Sequence, residues 1–84
     1  MRKSIHSDEQ QVLLGLLKAL REQAGMSQAE VAAELGKPQS FVSKYESGER
    51  RLDVLELRAI CGSLGSDLPG LVKHLESELA RRLR

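Results

Sequence analysis

Four of the chain's seven glycines, Gly25, Gly36, Gly48 and Gly65, close amphipathic stretches and divide 84 residues into segments of helical length. Glycine enters the left-handed conformation that ends a helix at the least steric cost, so this succession of stops limits what the chain can build. The starts are as regular. Ser27 with Glu30, and Asp53 with Glu56, have capping-box spacing, in which each side chain satisfies a free backbone N–H of the other's residue. Ser7 with Gln10 repeats the pattern and predicts a first helix over about 8–24.

Apolar periodicity fills the segments so delimited. Val12, Leu13, Leu16, Leu17 and Leu20 give the first helix one face, and Val31, Ala32 and Leu35 give the second, over 28–35, a shorter one. The third, about 39–47, turns Val42 and Tyr45 inward with Phe41 beside them. Val54, Leu57, Ile60, Cys61 and Leu64 mark a fourth. Asp67 then caps a fifth, over about 68–82, whose first turn tolerates Pro69 and whose stripe is Leu68, Leu71, Val72, Leu75, Leu79 and Leu83. No segment alternates as a strand, and one Phe, one Tyr and no Trp leave an aliphatic core that suits packed helices. The expectation is an all-α, compact five-helix fold forming a single domain over 1–84.

Several function classes drop out at this point. Cys61 is the only cysteine and the two histidines, His6 and His74, are far apart in sequence, so neither a disulfide nor a metal-ligand spacing is present. Cys61 falls on an apolar stripe and reads as an inert core residue, and the histidines read as surface residues. No arrangement of nucleophile, base and oxyanion donors is visible, so no catalytic residue, metal or cofactor is expected and the chain does not read as an enzyme. The apolar runs fall short of the roughly 20 residues that span a bilayer, and polar residues follow the Met-Arg-Lys start where a signal peptide would be apolar. A cytoplasmic location and no membrane partner are expected.

Gly36, Lys37 and Pro38 join two short helices as tightly as a helix-turn-helix requires, with Ala32 small at the crossing and Val42 apolar where the third helix packs back. An ordinary helical bundle with a short joint gives the same pattern, and periodicity leaves both open. The run Arg21-Glu-Gln-Ala-Gly-Met-Ser-Gln-Ala-Glu-Val-Ala, then Leu35-Gly, then Gln39-Ser-Phe-Val-Ser-Lys-Tyr-Glu-Ser-Gly-Glu-Arg-Arg-Leu52, resembles the Cro and phage-repressor (XRE) family of lambda-repressor-like helix-turn-helix proteins. The likeness covers about 16–72, with the motifs in the family's order and spacing. It implies a small dimeric transcriptional regulator that binds a palindromic operator in double-stranded DNA, with the third helix in the major groove.

The residue chemistry fits that implication. Gln39 carries a donor and an acceptor on one amide and matches adenine N6 and N7; Ser40, Ser43 and Lys44 complete a polar row able to reach bases, Lys44 also guanine. Gln28, at the opening of the second helix, Lys37 in the turn, and Ser47, Arg50 and Arg51 after the third helix are the expected phosphate contacts. For the two arginines a salt bridge to Glu49, Asp53 or Glu56 is the competing assignment. An acid on a helix that approaches DNA needs neutralising, and the resemblance implies a buried or nearly buried ion pair between Glu46 and Arg21. It also implies dimerisation through the fifth helix, with Leu68, Leu71, Leu75 and Leu79 as candidate contacts. Concentration, cooperativity or a regulatory protein partner is expected to control such a chain. The rival reading is a protein-interaction module, of an antitoxin type, that keeps the fold without DNA binding; Gln28, Gln39, Lys44, Arg50 and Arg51 argue against it.

A formal net charge of +1, from 13 bases and 12 acids, is low for a nucleic-acid binder. The charge is unevenly placed. Lys37, Lys44, Arg50 and Arg51 face only Glu46 and Glu49 between 37 and 51, whereas Asp53, Glu56, Asp67, Glu76 and Glu78 outweigh Arg58 and Lys73 between 52 and 78. The termini, with Arg2, Lys3, Arg81, Arg82 and Arg84, are basic again. Such a distribution predicts few phosphate contacts per subunit and a dependence on pairing two subunits.

Overall fold

Each of the first four helices ends where a glycine lets the chain reverse its hydrogen bonding. In the computed structural model, which describes residues 2–82 and side chains from Asp8 onward, the elements are α1 (Arg2–Gln23), α2 (Gln28–Leu35), α3 (Gln39–Ser47), α4 (Val54–Ser63) and α5 (Leu68–Arg82). The side chains of Arg2, Lys3 and His6, and all of Leu83 and Arg84, lie outside the described residues. No strand occurs among the described residues.

The joints explain the boundaries. At the end of α2 the Gly36 N–H donates to the Ala33 carbonyl and the Lys37 N–H to the Ala32 carbonyl, with Gly36 at φ 68. Gly48 closes α3 likewise at φ 89, its N–H on the Tyr45 carbonyl and that of Glu49 on the Lys44 carbonyl. Both pairs satisfy carbonyls that a helix end leaves bare. At the starts, Ser27 Oγ accepts from the Glu30 N–H while Glu30 Oε1 accepts from the Ser27 N–H, and Asp53 and Glu56 make the same exchange ahead of α4. Asp67 Oδ1 accepts from the Gly70 N–H and opens α5.

The start of α1 corrects the sequence reading. The helix begins at Arg2 and runs unbroken through Ser7, so no cap forms there. Nothing between Arg2 and Ser7 breaks a helix, and each residue added to an existing helix gains a backbone bond without a new nucleation cost. At 22 residues α1 is roughly 33 Å long and accounts for most of the 38 Å long axis of the domain.

The core gathers around α3. Leu17 of α1, Val31 and Ala32 of α2, Phe41, Val42 and Tyr45 of α3, Ile60, Cys61 and Leu64 at α4, and Leu71 of α5 form one buried cluster. Phe41 meets Tyr45 edge-on at 5.6 Å between ring centroids. Leu14, absent from the expected apolar face of α1, is also buried, and the C-terminal end of α3 at Gly48 lies against its Cδ1. α1 is covered by α3 and by α5, so its buried arc is wider than a single stripe. Two expected stripe residues are turned outward: Val54 is 59% exposed and Val72 45%, and Leu55 beside Val54 reaches 72%. Leu71 is corrected in the opposite sense. At 3% exposure it belongs to this subunit's own core and has no surface to offer a mate.

Candidate nucleic-acid interface

Two glutamines open α2 and α3, and the short joint brings their side chains together. Gln39 Nε2 donates to Gln28 Oε1 at 3.0 Å, and Gln28 Nε2 donates to Glu46 Oε1 at 3.0 Å. From the other side Arg21 donates to the same carboxylate through Nε to Oε2 at 2.7 Å and Nη2 to Oε1 at 3.0 Å, with Nη1 on the Met26 carbonyl at 2.9 Å. The Arg21 and Glu46 side chains are 11% and 6% exposed. A line of hydrogen bonds therefore runs from α1, through the inner side of α3, to the exposed amide at the start of α3.

The charges in this line stabilise one another. Burial pushes the Glu46 carboxyl up, but the hydrogen bonds from Arg21 and Gln28 and the Arg21 charge outweigh it and hold the group below its ordinary range. The hydrogen bond to Glu46 raises Arg21 in return. Lys18, one turn before Arg21 on α1, adds to the attraction at Glu46, a role the sequence reading did not give it. Behind them Tyr45 is pushed up to about 12, chiefly by burial and then by the Glu46 charge, so its hydroxyl stays neutral at physiological pH.

On the outer side of α3, Gln39, Ser40 and Lys44 are exposed and Ser43 is half-buried. Lys44 has no ion-pair partner among the described residues. Lys37, in the turn, is exposed and places Nζ 5.4 Å from the Phe41 ring centroid. The polar row expected to approach DNA thus shares one surface with the Gln28 amide.

The residues after α3 are arranged differently from expectation. Arg50 grips Glu56 with both terminal nitrogens, Nη1 to Oε1 at 3.1 Å and Nη2 to Oε2 at 2.8 Å, donates again to the Arg51 carbonyl, and lies 4.7 Å from the Phe41 centroid. Glu56 also accepts from the N–H of Asp53, the N-cap of α4, so the same carboxylate serves the cap and the ion pair. The Glu56 hydrogen bond raises Arg50, and Arg50 with the Asp53 N–H lowers Glu56. Arg50 thus takes the competing assignment, an ion pair within the domain, with 40% of its side chain exposed. The exposed Ser47 hydroxyl donates to the Lys44 carbonyl at 3.1 Å. Arg51 lies apart from the glutamines, lining a shallow groove of about 260 Å³ with Glu9, Gln10, Leu13, Leu75 and Leu79 on the side of α1 and α5.

Of the residues proposed for dimer contact, Leu68 packs half-buried against the core, and Leu75 and Leu79 are half-buried along the groove just described. None of the described helices is long and apolar enough to cross a membrane.

Residues 17–71 match a protein family described as helix-turn-helix. The chain is similar to the solved structure of an XRE-family like protein from Pseudomonas syringae pv. tomato str. DC3000, with 49% identity over 92% of this chain and 94% of that one and a TM-score of 0.86. It is similar in fold to the restriction-modification controller protein C.Esp1396I, at 21% identity, 86% and 95% coverage of the two chains and a TM-score of 0.78. A point mutant of that controller gives 22% identity, 86% and 91% coverage and a TM-score of 0.77. No curated protein sequence matches.

Proposed function

The chain belongs to the XRE-type helix-turn-helix family of DNA-binding regulators, and from that premise we propose that it acts as a single-domain, homodimeric regulator that lays α3 in the major groove of a palindromic operator. The observation that carries this reading is the exposed Gln39 amide, anchored through Gln28 to a buried, neutralised ion pair. An unpaired acid on α3 would repel phosphate, and here Glu46 is drawn inward and compensated by Arg21. Gln39, Ser40, Ser43 and Lys44 then face base edges, while Gln28 and Lys37 face the flanking phosphates.

Pairing of subunits supplies what one small footprint lacks. Among the described residues, the outward-turned Val54, Leu55 and Val72 are the large apolar side chains left exposed, and together with the margins of Leu68, Leu75 and Leu79 they give α4 and α5 a surface for a two-fold mate. In a symmetric dimer the two copies of α3 meet successive major grooves about 34 Å apart.

A salt series tests the proposal. With Lys37 on a phosphate and Lys44, which can reach a phosphate as well as a base, as the cations of each subunit, counterion release gives a slope of log affinity against log salt near −4 for a dimer. Fluorescence anisotropy on duplexes from the gene's own upstream region measures it, and Lys44→Met is expected to flatten the slope by about 2. An apolar protein contact responds little to salt. Absence of binding to any such duplex at low salt would sink the proposal.

A further inference from the structure

A guanidinium carries five N–H donors in one plane, and in Arg50 the fold uses only part of them. Nη1 donates to Glu56 Oε1 at 3.1 Å and to the Arg51 carbonyl at 2.8 Å, and Nη2 donates to Glu56 Oε2 at 2.8 Å. Glu56 therefore holds the group end-on, through its two terminal nitrogens. The Nε–H and the second hydrogen of Nη2 lie side by side along another edge and make no hydrogen bond among the described residues. Two parallel N–H groups of this kind match two oxygens of a phosphate.

The plane of that edge is fixed before any ligand arrives. The Phe41 ring lies 4.7 Å from the guanidinium carbon, and Glu56 is itself tied to the Asp53 N–H at the start of α4. The side chain is nonetheless 40% exposed. Its place beside α3 supplies a partner. At about 100° per residue, Ser40, Ser43 and Ser47 form the outward row of α3, with Gln39 and Glu46 on one flank and Phe41 and Lys44 on the other. Gln28 borders the first flank through Glu46, whereas Lys37 and Arg50, both over the Phe41 ring, border the second. With α3 in the major groove the two flanks face the two strands that wall it, and the open edge of Arg50 meets the same strand as Lys37.

The ion pair does not exclude a phosphate from this arginine, because the two use different edges. It changes what the contact does. Counterion release follows from the charge that a protein brings to the phosphates, and Arg50 with Glu56 brings no net charge.

We propose that Arg50 and Glu56 form a charge-neutral fork for one backbone phosphate in each half-site, with Glu56 as the positioning residue: it takes the end of the guanidinium, cancels its charge and leaves the Nε–Nη2 edge to the ligand. Such a contact adds affinity through hydrogen bonds and leaves the salt dependence to Lys37 and Lys44. The proposal rests on the reading of the chain as a DNA-binding protein given above.

The test compares the full-length natural chain, Arg50→Lys and Glu56→Gln by anisotropy on a duplex that the natural chain binds. The same duplex is then made with a single methylphosphonate, a linkage that lacks one anionic oxygen, at each position in turn. The natural chain is expected to lose about tenfold at one linkage of a half-site. Arg50→Lys keeps the charge and a partner for Glu56 but has no fork; it is expected to bind the unmodified duplex at least about tenfold more weakly and to lose less than about threefold at that linkage. A salt series tests the neutrality. Arg50→Lys is expected to keep the slope of the natural chain, whereas Glu56→Gln leaves Arg50 uncompensated and steepens the slope by about 2 for the dimer. A pair that only holds α3 to α4 lowers the melting temperature of the variants and moves neither readout. Equal losses in the natural chain and Arg50→Lys at every linkage overturn the fork, and an unchanged slope in Glu56→Gln overturns its neutrality. Failure of the natural chain to bind any upstream duplex at low salt is a different result, which removes the DNA-binding reading and the fork together.

Discussion

Replacing Arg21 by methionine isolates the interaction on which the interface is built. Glu46 is 6% exposed and accepts three hydrogen bonds, two from Arg21 and one from Gln28. Arg21→Met removes both charge-assisted bonds, each worth about 1.5–3 kcal/mol, and strands the carboxylate with one neutral donor. It also takes the Nη1 donor from the Met26 carbonyl at the α1–α2 joint. Relaxation toward solvent recovers part of this, and the expected loss is about 3–5 kcal/mol. Against a total of roughly 4–12 kcal/mol for a domain of this size, that is a large share. Glu46→Met strands the arginine instead and is expected to cost nearly as much. The double variant puts two apolar side chains into the gap and strands neither charge, so it is expected to lose only about 1–2 kcal/mol. The coupling energy then exceeds about 2 kcal/mol. Urea denaturation at neutral pH, followed by circular dichroism, gives all four corners of the cycle. Coupling below about 0.5 kcal/mol would refute the reasoning, because it would mean that each charge is solvated independently of the other.

Three further outcomes follow from the same structure. Glu46 is held below its ordinary value near 4.5, so its contribution to stability is full above that pH and is lost as pH falls through the folded-state value; an acid titration of stability should be steeper in the natural chain than in Glu46→Gln, and equal slopes would contradict the assignment. Gly36 sits at φ 68 with no neighbouring atom within 4 Å of where a methyl would stand, so Gly36→Ala is expected to cost about 1–2 kcal/mol from backbone strain alone, read by urea denaturation, with a cost near zero as the refuting result. Leu55 is 72% exposed, so Leu55→Glu should change folding stability by no more than about 0.5 kcal/mol. In sedimentation velocity the same change should shift the protein from dimer to monomer, and an undisturbed dimer would remove the α4 surface from the proposed interface.

The boundaries of α2 and α3 were readable from the chain because the signals that set them are local. A capping box spans four residues, and a left-handed glycine needs no partner elsewhere, so Ser27 and Glu30, placed just after the Gly25 stop, and Gly36 and Gly48 set these boundaries without help from a distant element. The beginning of α1 was misread for a related reason. Ser7 and Gln10 form a start signal only where the preceding residues leave the helix, and nothing in Arg2 to His6 makes them do so. Periodicity identified an apolar side for each helix but not its limits: Leu14 is covered because α3 ends upon it, while Val54 and Val72 are turned outward and only partly covered.

The candidate site divides in the same way. Its residue types stand in the sequence: two glutamines at helix starts, a lysine on the outer face of α3, an acid in need of a counter-charge and an arginine to supply it. The chain by itself thus determined five helices, the turn between α2 and α3, and the chemistry of the α3 surface, since these depend on spacings of a few residues. Only the tertiary structure decided which partners those side chains take. Arg50 had several acids within reach in sequence and chose Glu56, already fixed by the cap of α4. Gln28 became the link between Glu46 and Gln39 because packing set the first turns of α2 and α3 side by side. Hydrogen bonds between side chains form over about 3 Å, and no spacing along the chain says which groups from separate helices will arrive within that distance.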